Sequence, residues 1–334
     1  MVNTQSDTLH FCVSMDSKYV ARGLVMYESL RRFCPDFHLY ICAYDEVAER
    51  MLNSLALEYV TVVPLRDIED ADLLRVKPSR TVQEYCWTGK PSLILHILEK
   101  FGVPLCSFID ADLDFHANPK MLIDEMGDDS ILITEHRYSP GFNLSAITGI
   151  YCTQLISFRN DVRGLKALHW WRSACLDWCS ALPADGKFGD QKYLDDWPIR
   201  FDGVCVLQNR GGGVAPWNIQ RYTICQGTEN IILHDRRAGD EFDLIFYHFH
   251  FVRFYEDGTV DLGEFHLSPA VKRLMYVPYL NALETAIRRA SKVSGDFDPR
   301  AVRNRPRGLK ATFNAWKRRL RGRYNVLRPD SLRQ

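Results

Sequence analysis

The segment CSFIDADLDFHANP, residues 106–119, constrains the fold more than any other part of the chain. An apolar run, Leu105–Ile109, leads straight into Asp110, Asp112 and Asp114, and an Asn118-Pro119 turn follows. The run has the length and composition of a short buried strand. Extended backbone alternates its faces, so a continuing strand would put the three carboxylates on one face and Ala111, Leu113 and Phe115 on the other. Ionised carboxylates crowded at the end of a buried strand repel one another and lose hydration, which is costly unless a cation or several hydrogen bonds compensate them. A hard divalent cation accepts such oxygens and can share phosphate oxygens with a substrate. The plainer alternative is a solvated acidic turn. A fold that buries the strand and opens its carboxyl end is the open α/β sheet, whose strand ends are where ligands sit.

The rest of the chain supplies the alternation such a sheet needs. Leu9–Met15, Phe37–Ala43, Tyr59–Leu65, Ser130–Thr134 and Tyr151–Phe158 read as strands. Between them, Ala21–Phe33 reads as a helix that stops before Pro35. A second helix is expected from a Thr88 cap, with Pro91 in its first turn, Leu93, Ile94, Ile97 and Leu98 as its apolar face, and Gly102 just past its end. Asn160 or Asp161 caps a third, through Leu165, Leu168, Trp171 and Cys175. Strand–helix–strand order of this kind predicts an α/β fold with a mainly parallel sheet covered by helices.

After about residue 255 the strand pattern fades. Residues 268–292 read as helical, Ser294–Gly308 as a linker, and Gly308–Tyr324 as a helix with Leu309, Phe313, Trp316 and Leu320 on one side. The expected organisation is a catalytic domain over 1–255, a helical extension over 256–300 and a basic amphipathic tail over 301–334. Formal net charge is zero, yet residues 300–334 carry twelve Lys and Arg against Asp330 alone, so the tail is at +11 and the remainder at −11. Such a tail reads as a solvated end, as a nucleic-acid contact without a recognition module, or as a peripheral helix on an anionic membrane; the last is preferred. The start of the chain lacks a charged segment followed by an apolar run, and no apolar stretch approaches the roughly 18 residues of a membrane span. None of the ten cysteines forms a CxxC pair, so they read as reduced, mostly buried thiols. The expected location is cytoplasmic, with contact to the inner face of the plasma membrane through the tail.

FIDADLDFHANP resembles the DxD segment of GT-A glycosyltransferases, in which an apolar strand ends in Asp-Ala-Asp. FCVSMDSKYVARGLVMYESLRRF resembles the opening strand and helix of family-8-type transferases. EYCWTGKPSLILHILEKF, GKFGDQKYLDDWP, GGGVAPWN and FYHFHFVRFY resemble further blocks of bacterial nucleotide-diphospho-sugar transferases of surface-polysaccharide pathways, so the likeness spans roughly residues 9–280. It implies a GT-A fold, a Mn²⁺ or Mg²⁺ ion and a nucleotide-diphospho-sugar donor, expected to be a UDP-sugar. Asp110, Ala111 and Asp112 would meet the donor, with Asp110 and Asp112 on the metal. A late histidine completes the set in such enzymes; FYHFHFV offers His248 and His250, and the family pattern favours His248. Ser14, Asp16 and Tyr19 stand where base and ribose are held, although Asp16 also suits a turn cap. Asp190 and Gln191 match an Asp-Gln pair beside the reacting sugar. Lys192 replaces an acid often found there, and the expected Asn-x-Gly element is absent from Tyr151-Cys152-Thr153-Gln154.

Lys90, expected at the start of a helix, is a candidate partner of the diphosphate or simply an exposed lysine. Gly211–Gly213 reads as a flexible turn that lets Trp217 and Asn218 approach the site. In sugar transfer the leaving diphosphate gains negative charge, which a bound metal stabilises. The acceptor hydroxyl loses a proton to a base, for which Asp190 is the candidate, or to the leaving phosphate. Two other functions compete. A sugar-nucleotide-forming nucleotidyltransferase would carry a Gly-rich basic loop after the first strand, where this chain reads SMDSKYVARG. A non-catalytic glycan-binding relative would have no use for intact Asp110, Asp112 and His248.

Overall fold

The computed structural model describes residues 8–228 and 230–328. Eight strands lead the fold: β1 (Leu9–Met15), β2 (Phe37–Ala43), β3 (Val60–Pro64), β4 (Leu105–Ile109), β5 (Leu113–Phe115), β6 (Ile131–Glu135), β7 (Tyr151–Arg159) and β8 (Val204–Val206). All but β5 form one sheet in the order β3-β2-β1-β4-β7-β6-β8. Its β3, β2, β1 and β4 run parallel; β7 runs antiparallel to β4 and β6, and β8 is parallel to β6. Helices cover both faces, and two apolar clusters lie on opposite sides of the sheet. The expected mainly parallel α/β architecture is therefore the one the chain has. From β1 the chain moves outward to β2 and β3, then returns to place β4 on the other side of β1. The carboxyl ends of β1 and β4 thus flank the point where strand order reverses, the usual ligand crevice of such sheets.

Local chemistry sets the helices. Asp45 Oδ1 accepts the Ala48 N–H at 2.7 Å and starts the helix Glu46–Leu55; Asp161 does the same for Val162–Asp177 through Gly164 N at 2.8 Å. One expected start is corrected. The helix that carries Lys90 and Pro91 runs from Val82 to Lys100, because Thr81 and Glu84 form a reciprocal capping box two turns before Thr88. Thr88 turns its hydroxyl back onto the Glu84 carbonyl, and Pro91 lies inside the helix. Lys90 is consequently a mid-helix residue aimed at the sheet. Gly102 follows the helix end with φ +62°, as its position suggests.

Further strands complete the molecule: β9 (Tyr222–Gln226), β10 (Ile231–Asp235), β11 (Glu241–Asp243), β12 (Phe246–His248), β13 (Arg253–Phe254), β14 (Val260–Asp261) and β15 (Val326–Leu327). β9, β10 and β11 form an antiparallel meander, and β12 pairs antiparallel with β5. The helix Val277–Ser291 packs on the helix Val20–Phe33, with Arg289 paired to Glu28 at 2.7 Å and Tyr279 stacked on Phe249 at 3.7 Å.

The C-terminal segment is stitched to the body. β15 pairs with β14 and β14 with β13, so residues from 253 to 327 share one small sheet. Arg318 meets Asp261 with two bonds of 2.6 and 2.7 Å, both side chains largely buried. Asn325 donates to the carbonyls of Gly263 and Phe265. Arg307 also pairs with Glu256, but in the open. Residues 329–334, the end of the expected tail, lie outside the described residues, as do residues 1–7.

Breaking the buried pair with Asp261→Ala strands a guanidinium and is expected to cost about 3 kcal/mol in chemical denaturation. The exposed pair is expected to contribute less than about 1 kcal/mol, so Arg307→Ala should leave the midpoint nearly unchanged. Equal effects would show that the C-terminal segment is not anchored through Asp261.

Candidate active site

The backbone turns directly after β4: Leu113 N–H bonds the Asp110 carbonyl at 3.4 Å, and Asp110 N–H bonds the Gln154 carbonyl at 3.0 Å. The extended alternation expected for the three acids is broken by this turn. Asp110 and Asp112 point into the crevice, whereas Asp114 restarts in β5 and lies 3.4 Å from His116 Nε2. Pairing of β12 with β5 sets His248 opposite Leu113. Its Nε2 lies 3.0 Å from Asp112 Oδ1 and 3.8 Å from Asp110 Oδ2. One ligand atom each from Asp110, Asp112 and His248 fall within 4.8 Å of one another, the only such cluster of acids, His or Cys among the described residues. His250 is outside it because β12 ends at His248 and the chain turns, with Phe251 at φ +70°. The His250 ring instead lies against Trp217, 5.7 Å between centroids.

A second set of charges stands behind the first. Lys90 is buried, with Nζ 3.3 Å from Asp110 Oδ1, 3.2 Å from Asp190 Oδ2 and 2.9 Å from Thr153 Oγ1, over the Phe108 ring. Thr153 also donates to Asp190 at 3.2 Å, and Trp171 Nε1 donates to the Asp190 carbonyl at 2.8 Å. Burial alone would lower the Lys90 pKa, but Asp110 and Asp190 outweigh it and raise it. Burial raises the Asp190 pKa, with Lys90 opposing. With His248 neutral, as a metal ligand must be, Asp110, Asp112 and Asp190 against the Lys90 ammonium leave a net charge of minus two, which suits a divalent cation.

The His248 imidazole shows the same demand for positive charge. Burial disfavours its protonation, yet Asp112 and Asp110 hold its pKa up to about 10. Burial also works against the Asp112 carboxylate, and His248 more than offsets it, leaving that pKa below the usual range. Two carboxylates and an imidazole nitrogen converging at the mouth of a crevice are a donor set that Mn²⁺ or Mg²⁺ fits, with remaining positions for phosphate oxygens.

Residues that the sequence did not single out shape this centre. Gln154 is fully buried; its Oε1 accepts from His248 Nδ1 at 2.7 Å, which presents Nε2 to the acids. Gly213, at φ +94°, has no room for a side chain beside Thr134 and Gln154. Gly211 and Gly212 are equally hemmed in, by the Asp243 carbonyl and by Leu122, so this turn is packed rather than flexible. It does deliver Trp217 and Asn218, as expected: both donate to the His136 carbonyl, and the Trp217 ring centroid lies 5.3 Å from that of His248. Cys152 is buried between His136 and His248, which counter the effect of burial and bring its pKa to about 7. A Cys-Thr-Gln strand carries no metal signature, so only the fold reveals its part.

The remaining candidates line the same crevice or its loops. Ser14 is the penultimate residue of β1, and Ala111 is buried between the two acids. Asp16 Oδ1 accepts the Tyr19 N–H at 3.1 Å, the turn-capping contact, and burial together with Asp45 raises its pKa. Tyr19 is 40% exposed beneath the Arg22 guanidinium. Gln191 donates to the Thr148 carbonyl at 2.8 Å and Lys192 to the Ser145 carbonyl at 3.0 Å, so both fasten the loop over residues 144–149.

A GT-A-type sheet with an acidic, histidine-completed site at its strand switch defines the class. Among solved structures, the galactosyltransferase LgtC, crystallised with donor and acceptor sugar analogues, has this fold: TM-score 0.52 and 10% identity over 83% of this chain and 96% of LgtC. No family model matches the sequence. YfnD of Bacillus subtilis (strain 168), an uncharacterized protein, is 31% identical over 296 residues, covering 87% of this chain and 93% of YfnD. YfnF of the same strain, also uncharacterized, is 31% identical over 250 residues, covering 72% of this chain and 81% of YfnF. The chain belongs to the family of these two proteins.

Gln154→Leu removes the acceptor that orients His248 while preserving its bulk. It is expected to weaken Mn²⁺ binding about 10-fold or more, as changes to the partner of a metal-ligating histidine do. Titration calorimetry checks this, and unchanged affinity would exclude His248 as an oriented ligand.

Proposed function

We propose that this chain is a metal-dependent glycosyltransferase that moves a sugar from a nucleoside-diphosphate donor, a UDP-sugar first, to a glycan or lipid-linked acceptor of surface-polysaccharide synthesis. The observation that carries this reading is the convergence of Asp110, Asp112 and His248 at the strand switch. The fold shared with LgtC, a galactosyltransferase crystallised with donor and acceptor sugar analogues, supports it. The segment after β1, SMDSKYVARG, leads into the helix Val20–Phe33 without the Gly-rich basic loop of a nucleotidyltransferase, which argues against that alternative.

Asp110, Asp112 and His248 would hold the cation, and Ser14, Asp16 and Tyr19 the base and ribose. When bound, the cation supplies Lewis-acid stabilisation of the charge that builds on the departing diphosphate. Lys90 fixes Asp110 from behind and adds positive potential. The bond from the anomeric carbon to the diphosphate oxygen breaks as the bond to the acceptor oxygen forms. Asp190 is 3% exposed and shares its Oδ2 with Lys90 and Thr153, which favours a positioning role. The acceptor proton then leaves on the diphosphate. Gln191 anchors the loop beside the reacting sugar.

Incubation with UDP-, GDP-, dTDP- and CMP-sugars, with Mn²⁺ or with chelator, tests the reading through nucleotide release. Release from one donor, dependent on metal and reduced at least 100-fold in Asp112→Ala, is expected. Absence of both release and metal-enhanced donor binding would favour a binding-only relative.

The C-terminal helix Leu309–Leu320 supports the membrane part of the reading. Leu309, Phe313, Trp316 and Leu320 are 91%, 59%, 54% and 68% exposed on it, and only Ala311, Ala315 and Arg318 of the helix are partly covered. Lys310 and Lys317 lie on the same helix, and each cation near an anionic surface contributes roughly 1 kcal/mol. No helix of the described residues is long and apolar enough to cross a membrane. Co-sedimentation with phosphatidylglycerol vesicles is expected for the protein and not for its Phe313→Ser/Trp316→Ser variant, which leaves the Arg318–Asp261 anchor intact. Equal binding by the variant would remove this helix as the docking element.

A further inference from the structure

The open end of the β9–β10 pair faces the turn at residues 139–142 across a cleft of about 260 Å³. Arg221 enters it from before β9, and Arg236 and Arg237 from after β10. The opposite wall is Phe142 with His266, and Arg323 braces that wall, donating to the Gly141 carbonyl at 3.2 Å and to His266 Nε2 at 3.0 Å.

The acid nearest to these arginines is already committed. Asp235 is buried; its Oδ1 takes the N–H groups of Arg237 and Ala238 at 2.9 and 3.2 Å. Its Oδ2 bonds Arg210 at 3.1 Å and lies 3.8 Å from Arg221. Arg236 spends only Nε, on Thr223 Oγ1 at 3.2 Å, and the Arg237 side chain makes no ion pair among the described residues. Several guanidinium groups around one apolar-walled cleft repel one another, and an anion placed between them relieves that repulsion. Their forked donors match phosphate oxygens. The cleft also adjoins the proposed catalytic centre. Ser139 N–H bonds the Trp217 carbonyl at 3.0 Å, and the Trp217 ring packs on His248.

We propose that this cleft binds the phosphate or diphosphate group of the acceptor, so that the glycan substrate is a phosphorylated one. This rests on the transferase reading and names the chemistry of its second substrate. Arg221, Arg236 and Arg237 bind the anion, and Phe142 packs against whatever carries it.

Inorganic diphosphate and farnesyl diphosphate are titrated into the full chain in metal-stripped buffer, where the acidic centre has no cation to recruit a diphosphate. The same is done for Arg236→Gln/Arg237→Gln, whose altered side chains are both exposed. Saturable binding by the wild type, weakened at least 10-fold in a variant of unchanged melting temperature, is expected. Tighter binding of the farnesyl form assigns a lipid-linked source; equal binding assigns a soluble phosphosugar. No saturable binding, or equal affinity in the variant, overturns the proposal. Binding of UDP with Mn²⁺ is measured in parallel. Its absence in the wild type would sink the donor reading on its own, separately from the result at the arginine cleft.

Discussion

A single buried ammonium group decides whether the centre of this protein can exist. Lys90 lies in a low-dielectric interior between Asp110 and Asp190, with Thr153 completing its hydrogen bonds. Either carboxylate alone would be expensive to bury; together with the lysine they form a set in which each group satisfies another. The pair also divides labour across Asp110. One of its oxygens is held by Lys90, which leaves the other facing His248 and the crevice. The helix that carries Lys90 therefore serves the site as much as the core, and its capping box at Thr81 and Glu84 sets the phase that turns Lys90 inward.

Much of the sheet was legible in the sequence. β1, β2 and β4 have the bounds that their apolar runs suggest, since central parallel strands are buried on both faces and read as continuous hydrophobic runs. Asp110, Asp112 and His248 converge where the family resemblance put them. Period-two reasoning misled at Asp114 and left His250 open, because it assumes extended backbone where the chain turns on either side of the candidate metal site. The start of the Lys90 helix was misplaced because Pro91 suggests a first turn, while the stronger signal, a Thr and a Glu three residues apart, lies further upstream. Gln154 and Thr153 could not be singled out, since they have no special composition; their roles arise from the pairing of β7 with β4.

The last part of the chain shows a different limit. Strands of two residues, such as β14 and β15, are too short to leave a periodic pattern. The basic excess that made the tail look separable is partly spent on the protein's own acids, on Asp261 in the interior and on Asp257 and Glu256 at the surface. What remains outside is sorted in space. The apolar side chains of the C-terminal helix face solvent, while Arg318 on the same helix reaches inward and Arg323 beyond it borders the arginine cleft. One short segment thus connects a surface suited to a membrane with a cleft suited to phosphate.

The antiparallel pairing of β5 with β12 has a consequence for synthesis. These strands are far apart in the chain, and His248 cannot reach the acids until they zip together. A ribosome that has delivered the acidic loop has made only half of the proposed cation site, and that half stays incomplete while most of the polypeptide is still to come. On the proposed reading, donor capture is thereby tied to completion of the fold, so a prematurely terminated chain would be inert toward the donor rather than a sink for it.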